Sequence, residues 1–200
     1  MEIIIASSNK DKIKEFKNLL GDKIEVKSKK DVGLGDLEVI EDGETLNENS
    51  YKKASAINLK TGKFTISDDT GLFVNALSGR PGVHAHRYAS ENPTYKENRD
   101  KLLEELENSK DRSAYFMTVI CFIDENKKAH YFEGKIEGNI ANKDLGDKEF
   151  GYDQIFVPKD SEKSFGQMTI EEKNSYSHRA RAIEKFKNFL KEKKYIWKYL

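Results

Sequence analysis

The chain has 200 residues, with 35 lysines and arginines against 35 aspartates and glutamates, so its formal charge is zero. That length suffices for one domain over residues 1–200 with a substantial apolar interior, and the balanced charge excludes a general electrostatic grip on nucleic acid or on an anionic membrane surface. The single cysteine, Cys121, excludes an internal disulfide framework, and no apolar run approaches signal-peptide or membrane-spanning length, so the chain reads as cytoplasmic.

Glu2–Ala6 predicts a buried strand, and the cap-rich turn Ser7-Ser8-Asn9 leads into a helix with Ile13, Phe16, Leu19 and Leu20 at helical spacing, closed by Gly21. Thr45-Leu46-Asn47-Glu48 matches a capping box that opens a second helix running to about Leu59. Phe64, Thr65 and Ile66 predict a short strand ending in the pair Asp68-Asp69, with Thr70-Gly71 as the turn beyond it. Asn92-Pro93 opens a helix carrying Leu102, Leu103 and Leu106. Ala114–Ile123 and Ala129–Ile140 then flank Asp124-Glu125-Asn126-Lys127 as a long β-hairpin, which leaves Cys121 in an apolar strand as a structural thiol. The last helix is predicted from Ser177, with Lys173 also assigned to its N-terminal end; it carries Ile183, Phe186 and Leu190 and ends in a lysine-rich tail docking Tyr195, Ile196 and Trp197. Together these predict an α/β fold with a mixed β-sheet flanked by helices and a cleft between two lobes.

Four blocks carry candidate chemistry. Ser7, Ser8, Asn9 and Lys12 lie at a strand-to-helix junction, where free backbone donors and a lysine one turn in suit a phosphate, although the glycines of a Walker loop are missing and the turn equally serves as the helix's own cap. Asp68 and Asp69 offer hard oxygen ligands of the kind Mg²⁺ takes together with substrate phosphates, and Glu41 would complete such a site if it lay near Asp69; alone, each also reads as a turn or surface acid. Phe150-Gly151-Tyr152-Asp153 pairs stacking rings with a directional acceptor, as a planar base requires, or forms an aromatic core turn. Lys173, His178 and Arg179 supply donors, and the arginine fork fits a keto oxygen or a phosphate. Ser177 and His178 are no serine-hydrolase pair, since adjacent residues cannot face one another as nucleophile and base; capping is the role left to Ser177.

Ser7-Ser8-Asn9 with Lys12, the segment SDDTGLFVNALSGRPG, FGYD, and EEK followed by SHR, in this order, resemble the inosine triphosphate pyrophosphatase family, the non-canonical purine nucleoside triphosphate pyrophosphatases, over almost the whole chain. The resemblance implies an elongated two-lobed fold, a homodimer, and Mg²⁺-dependent hydrolysis of ITP, dITP and XTP to the monophosphate and pyrophosphate. It implies that Ser7, Ser8, Asn9, Lys12 and Thr70 contact substrate, that Glu41 and Asp69 bind the metal with Asp69 also accepting a proton, and that Phe150, Gly151, Tyr152, Asp153, Lys173, His178 and Arg179 form the base pocket. Asp68 joins the metal site only if the chain bends, because neighbours in a strand point to opposite faces.

The chain departs from the family pattern in three places. Thr70 stands for serine, Gln154 for the proline after FGYD, and Val83-His84-Ala85-His86 for the usual residues before Arg87. The two histidines lack the Cys or His partners of a metal site, and His130 sits in a strand. Two other functions stay open at this level: a pyrophosphatase for other modified nucleotides, and a non-catalytic nucleotide-binding module, which would have no need of a base beside its metal. RNA binding through the lysine-rich tail is disfavoured by the interspersed acids.

Overall fold

The computed structural model describes residues 1–195. Its strands are β1 (Glu2–Ile5), β2 (Glu25–Ser28), β3 (Thr65–Val74), β4 (Pro81–Gly82), β5 (Ser113–Ile123), β6 (Ala129–Ile140) and β7 (Phe156–Pro158). Its helices are α1 (Lys10–Leu20), α2 (Leu46–Thr61), α3 (Tyr95–Glu105), α4 (Ile170–Tyr176) and α5 (His178–Glu192). The sheet runs in the order β2-β1-β3-β5-β6-β7, with β4 on β3. β1 pairs in parallel with β2 and β3, while β3–β4 and β6–β7 are antiparallel, so the sheet is mixed and the architecture is α/β. β5 and β6 are hydrogen-bonded neighbours joined by Asp124–Lys128, giving the predicted hairpin.

The chain folds as two compact units interleaved in sequence: among the described residues, 1–69, 118–134 and 179–195 form the first, and 70–117 and 135–178 the second. In the first unit, strand alternation sends successive side chains to opposite cores. Ile3 and Ile5 of β1, Ile66 of β3 and Ile120 and Phe122 of β5 pack with Phe16 and Leu20 of α1 and Ile183, Phe186 and Leu190 of α5. Ile4 packs instead with Ile57 of α2, and Cys121 and Ile123 with Ala54 of α2. Both faces of these strands are covered, which is why they read as unbroken apolar runs. The Cys121 thiol is pushed up to about 12 by burial, which suits a structural role. Tyr195 packs edge-on against Phe64 and Phe122, as expected for the tail; Ile196 and Trp197 lie outside the described residues. The second unit has its own core, built on Leu72, Leu102, Phe116, Ile140, Ile155, Phe156 and Phe165.

Two expectations need correction. β3 does not end at the carboxylates: it continues through Asp68-Asp69-Thr70-Gly71 to Val74, ten residues in all. Gly71 serves close approach rather than a turn, since a Cβ there would lie 2.7 Å from the Phe73 ring and 2.8 Å from the Gly82 carbonyl oxygen of β4. Lys173 is not on the last helix; it belongs to α4, which is capped at its start by Thr169 and broken from α5 by the extended backbone of Ser177 (ψ 159°). β2, which carries mostly charged and polar residues, has no sequence signature.

Gly71→Ala is expected to destabilise the protein by about 1–3 kcal/mol, the usual cost of overpacking, as read from urea unfolding.

Candidate functional site

The first unit gathers three cations, Lys12, Arg179 and Lys53, around Asp68. β3 alternation points Asp68 to the same face as Ile66, toward α1 and α5, while Asp69 points with Ser67 toward α2, where the Ser67 hydroxyl donates to the Ser50 carbonyl. Asp68 Oδ2 lies 3.2 Å from Lys12 Nζ of α1 and accepts from Nη2 (2.9 Å) and Nε (3.2 Å) of Arg179 at the start of α5. Arg179 Nη1 donates to Glu15, one turn beyond Lys12 on α1. Asp68 and Arg179 are each 2% exposed. Burial opposes ionisation of Asp68, but Lys12, Arg179 and Lys53 outweigh it and hold its carboxyl well below the usual range. Burial likewise opposes the Arg179 charge, and Glu15 and Asp68 overcome it, raising that group. For Lys12 burial prevails over Asp68 and lowers its pKa.

On the other face, Lys53 Nζ of α2 bridges Glu41 Oε2 at 2.6 Å and Asp69 Oδ1 at 3.1 Å. Burial pushes Asp69 above the ordinary aspartate range against the pull of Lys53 and Lys12, whereas Lys53 is raised because Asp69 and Glu41 outweigh its own desolvation. Asp69 Oδ2 is buried and has no hydrogen-bond partner. Glu41 is held by its own loop: Asn49 of α2, 3% exposed, accepts from Gly43 N at 2.8 Å and donates back to Gly43 O at 3.3 Å. A Cβ at Gly43 would sit 2.7 Å from Asn49 Oδ1, so only glycine admits this clasp.

Glu41 and Asp69 therefore converge on one positive charge, and the unpartnered Asp69 Oδ2 leaves a hard lone pair beside them. That donor set fits a divalent cation of the oxygen-preferring kind. Among the described residues no group of three His, Cys, Asp or Glu side chains could hold a metal, so such an ion would draw its remaining oxygens from substrate or water. Asp68 stays out of this pair and answers to Lys12 and Arg179.

At the β1–α1 junction, Asn9 caps α1 by accepting from Asp11 N and Lys12 N and donates its own N–H to Ser7 Oγ. Ser8 is exposed there. Thr70 follows Asp69 on β3 and opens the second unit.

In the second unit, Tyr152 is buried in the core and its hydroxyl donates to the Ala85 carbonyl at 2.7 Å. Phe150 meets Tyr95 edge-on at 5.8 Å, and Lys173 Nζ sits 5.0 Å from the centre of its ring while donating to Asp153 at 2.6 Å. His178 is buried against Phe116 at 4.7 Å. Gly151 lies between these rings in the turn whose Asp153 N–H returns to Phe150 O. Arg179, next in sequence to His178, belongs to the first unit, where its fork is engaged by Asp68 and Glu15.

Glu15, Asn49 and Lys53 were absent from the sequence reading. Asn49 and Ser50 mark the signal that could have found them: polar residues at inward positions of α2, beside Leu46, Ala54 and Ile57.

Residues 3–189 match the profile of the Ham1 family. The chain is 44% identical over 193 residues to the dITP/XTP pyrophosphatase of Thermoanaerobacter pseudethanolicus, covering 95% of this chain and 96% of that one. It is 42% identical over 199 residues to the dITP/XTP pyrophosphatase of Clostridium perfringens, with 95% and 97% covered. The Ham1 protein of Staphylococcus aureus superposes with a TM-score of 0.86 at 38% identity, covering 96% of this chain and 100% of that one. A HAM1 protein from Coxiella burnetii gives 0.86 at 36% identity over 96% and 99%.

Two measurements check the electrostatics. Removing the guanidinium in Arg179→Ala strands two carboxylates and is expected to cost about 3–5 kcal/mol in urea unfolding at neutral pH. Because the folded Asp68 carboxyl lies below its unfolded value near 4, its contribution is complete above about pH 4 and is lost as pH falls further, so the gap between the two proteins narrows in acid. In metal-free protein, the carboxyl NMR titration of Asp69 is expected above the ordinary aspartate range, and Lys53→Met is expected to raise it further.

Proposed function

Since this chain belongs to the Ham1 family, we propose that it hydrolyses the non-canonical purine nucleoside triphosphates ITP, dITP and XTP to the monophosphate and pyrophosphate. The observation that carries the reading is Asp69: a buried carboxylate with one unpartnered oxygen, set beside a lysine it shares with Glu41. A carboxylate oxygen with no partner of its own is suited to accept a proton from water attacking a phosphorus atom.

In this reading Asp69 takes the proton of the attacking water, the new oxygen–phosphorus bond forms at the α-phosphorus, and the bond to the β-phosphate bridging oxygen breaks, releasing pyrophosphate. Lys12 and Lys53 set point charges against the triphosphate. Arg179 and Lys12 keep Asp68 ionised, which in turn fixes where Lys12 sits. Ser7, Ser8, Asn9 and Thr70 add polar contacts along the phosphates. Glu41 and Asp69 would hold the divalent cation, which we assign as Mg²⁺ and which, when bound, offsets charge developing on the phosphoryl oxygens. Phe150, Gly151, Tyr152, Asp153, Lys173 and His178 serve the base. Hypoxanthine and xanthine present a keto oxygen where adenine presents an amino group, so a donor aimed there rejects ATP by leaving donor against donor. We place the enzyme in the cytoplasm as a homodimer. No helix among the described residues is long and apolar enough to cross a membrane.

Incubation with Mg²⁺ and ITP, XTP, ATP, GTP or dCTP is expected to yield IMP or XMP with pyrophosphate and little turnover of the others; IDP with orthophosphate would overturn the bond assigned, and turnover of dCTP alone would favour a pyrophosphatase for other nucleotides. Asp69→Asn is expected to lower kcat by about 10²–10⁴-fold, the usual weight of a general base, with the circular dichroism spectrum unchanged.

A further inference from the structure

One face of α3 carries Tyr95, Asn98, Arg99 and Leu102, spaced as a core-facing stripe, yet two of the four are polar and both are only 2% exposed. A buried arginine is tolerated only when its donors are spent. Arg99 Nε and Nη2 reach the two oxygens of Asp144 at 2.9 and 3.1 Å, a bidentate pair. Nη1 donates to the Gly151 carbonyl at 3.1 Å and reaches the Glu149 carbonyl at 3.5 Å. Those two carbonyls bracket Phe150, whose ring already rests edge-on against Tyr95 of the same helix face. Asn98 performs a matching task on the neighbouring segment, accepting from Ala89 N at 2.8 Å and donating to His86 O at 3.0 Å.

We propose that Arg99 is a positioning residue for base recognition: with Asp144 as its counter-ion, it clamps the backbone on both sides of Phe150 and so presets the ring on which the purine stacks. The proposal rests on the functional reading above. Arg99 touches no substrate in this scheme. It spares the segment 149–153 an ordering cost that would otherwise be met on binding. Proton transfer and charge neutralisation belong to residues of the first unit, so loss of the clamp falls on KM and leaves kcat in place.

The test compares wild type, Arg99→Lys and Asp144→Asn. A lysine keeps the charge but has no fork to hold Asp144 and two carbonyls together; asparagine keeps the shape of the counter-ion, and carries the comparison if Arg99→Lys does not fold. Expected for Arg99→Lys are a rise in KM for ITP on the order of tenfold, an equal weakening of IMP binding by calorimetry, kcat within about twofold, and an unchanged inhibition constant for inorganic triphosphate, with Asp144→Asn shifted the same way by less. Unchanged KM and IMP affinity in both variants would overturn the inference, as would a fall in kcat at constant KM or a parallel weakening of inorganic triphosphate, each of which marks a general structural role. Wild type that binds IMP but does not hydrolyse ITP would overturn the functional reading and leave the clamp to be judged on IMP affinity; wild type that does neither would overturn both.

Discussion

Two carboxylates adjacent on one buried strand impose the constraint from which the rest of the site follows. Neighbouring side chains in β3 leave on opposite faces, so the ion pairs of Asp68 are made with Lys12 and Arg179 and that of Asp69 with Lys53. α1 and α5 bring Lys12 and Arg179 to one face, and α2 brings Lys53 to the other. Unpaired charges at this depth would cost several kcal/mol each, so the placement of all three helices is bound to this dipeptide.

The same constraint separates the two acids chemically. Asp68 is surrounded by more positive charge than its burial removes, and it remains an anion that orients Lys12 and Arg179. Asp69 shares Lys53 with Glu41, keeps an oxygen without a partner, and is pushed by burial above the ordinary aspartate range. One aspartate held below the ordinary range and one pushed above it thus stand side by side in sequence, distinguished by what the opposite faces of the sheet place against them.

The second unit handles aromatic surface in a comparable way. Tyr152 and His178, both expected at a base pocket, are packed among core residues, and Phe150 is backed by Tyr95 and Lys173. These rings are held by polar contacts, among them the Arg99–Asp144 ion pair with its buried arginine, rather than by a regular strand ladder.

Much of this was legible in the residues. The Thr45 capping box, the Gly21 stop, the hairpin from Ser113 to Ile140 and the buried character of Cys121 are set by local propensity, capping chemistry and side-chain period, which act within a few residues of themselves. The motif set around Asn9, Asp69, Phe150 and Arg179 likewise pointed to the family from sequence alone. β2 and the continuation of β3 past Asp69 were not legible: a strand of charged residues forms because β1 offers a partner, and Thr70-Gly71 extends because Gly82 and Phe73 approach it. Nor could sequence assign counter-ions. Glu15 to Arg179 spans 164 positions and Arg99 to Asp144 spans 45, and pairings at that separation depend on how the elements pack. The sequence by itself determined the elements, their order and the chemical groups available; the tertiary structure alone decided which carboxylate met which cation, because that choice is made by the face of the sheet on which each helix comes to rest.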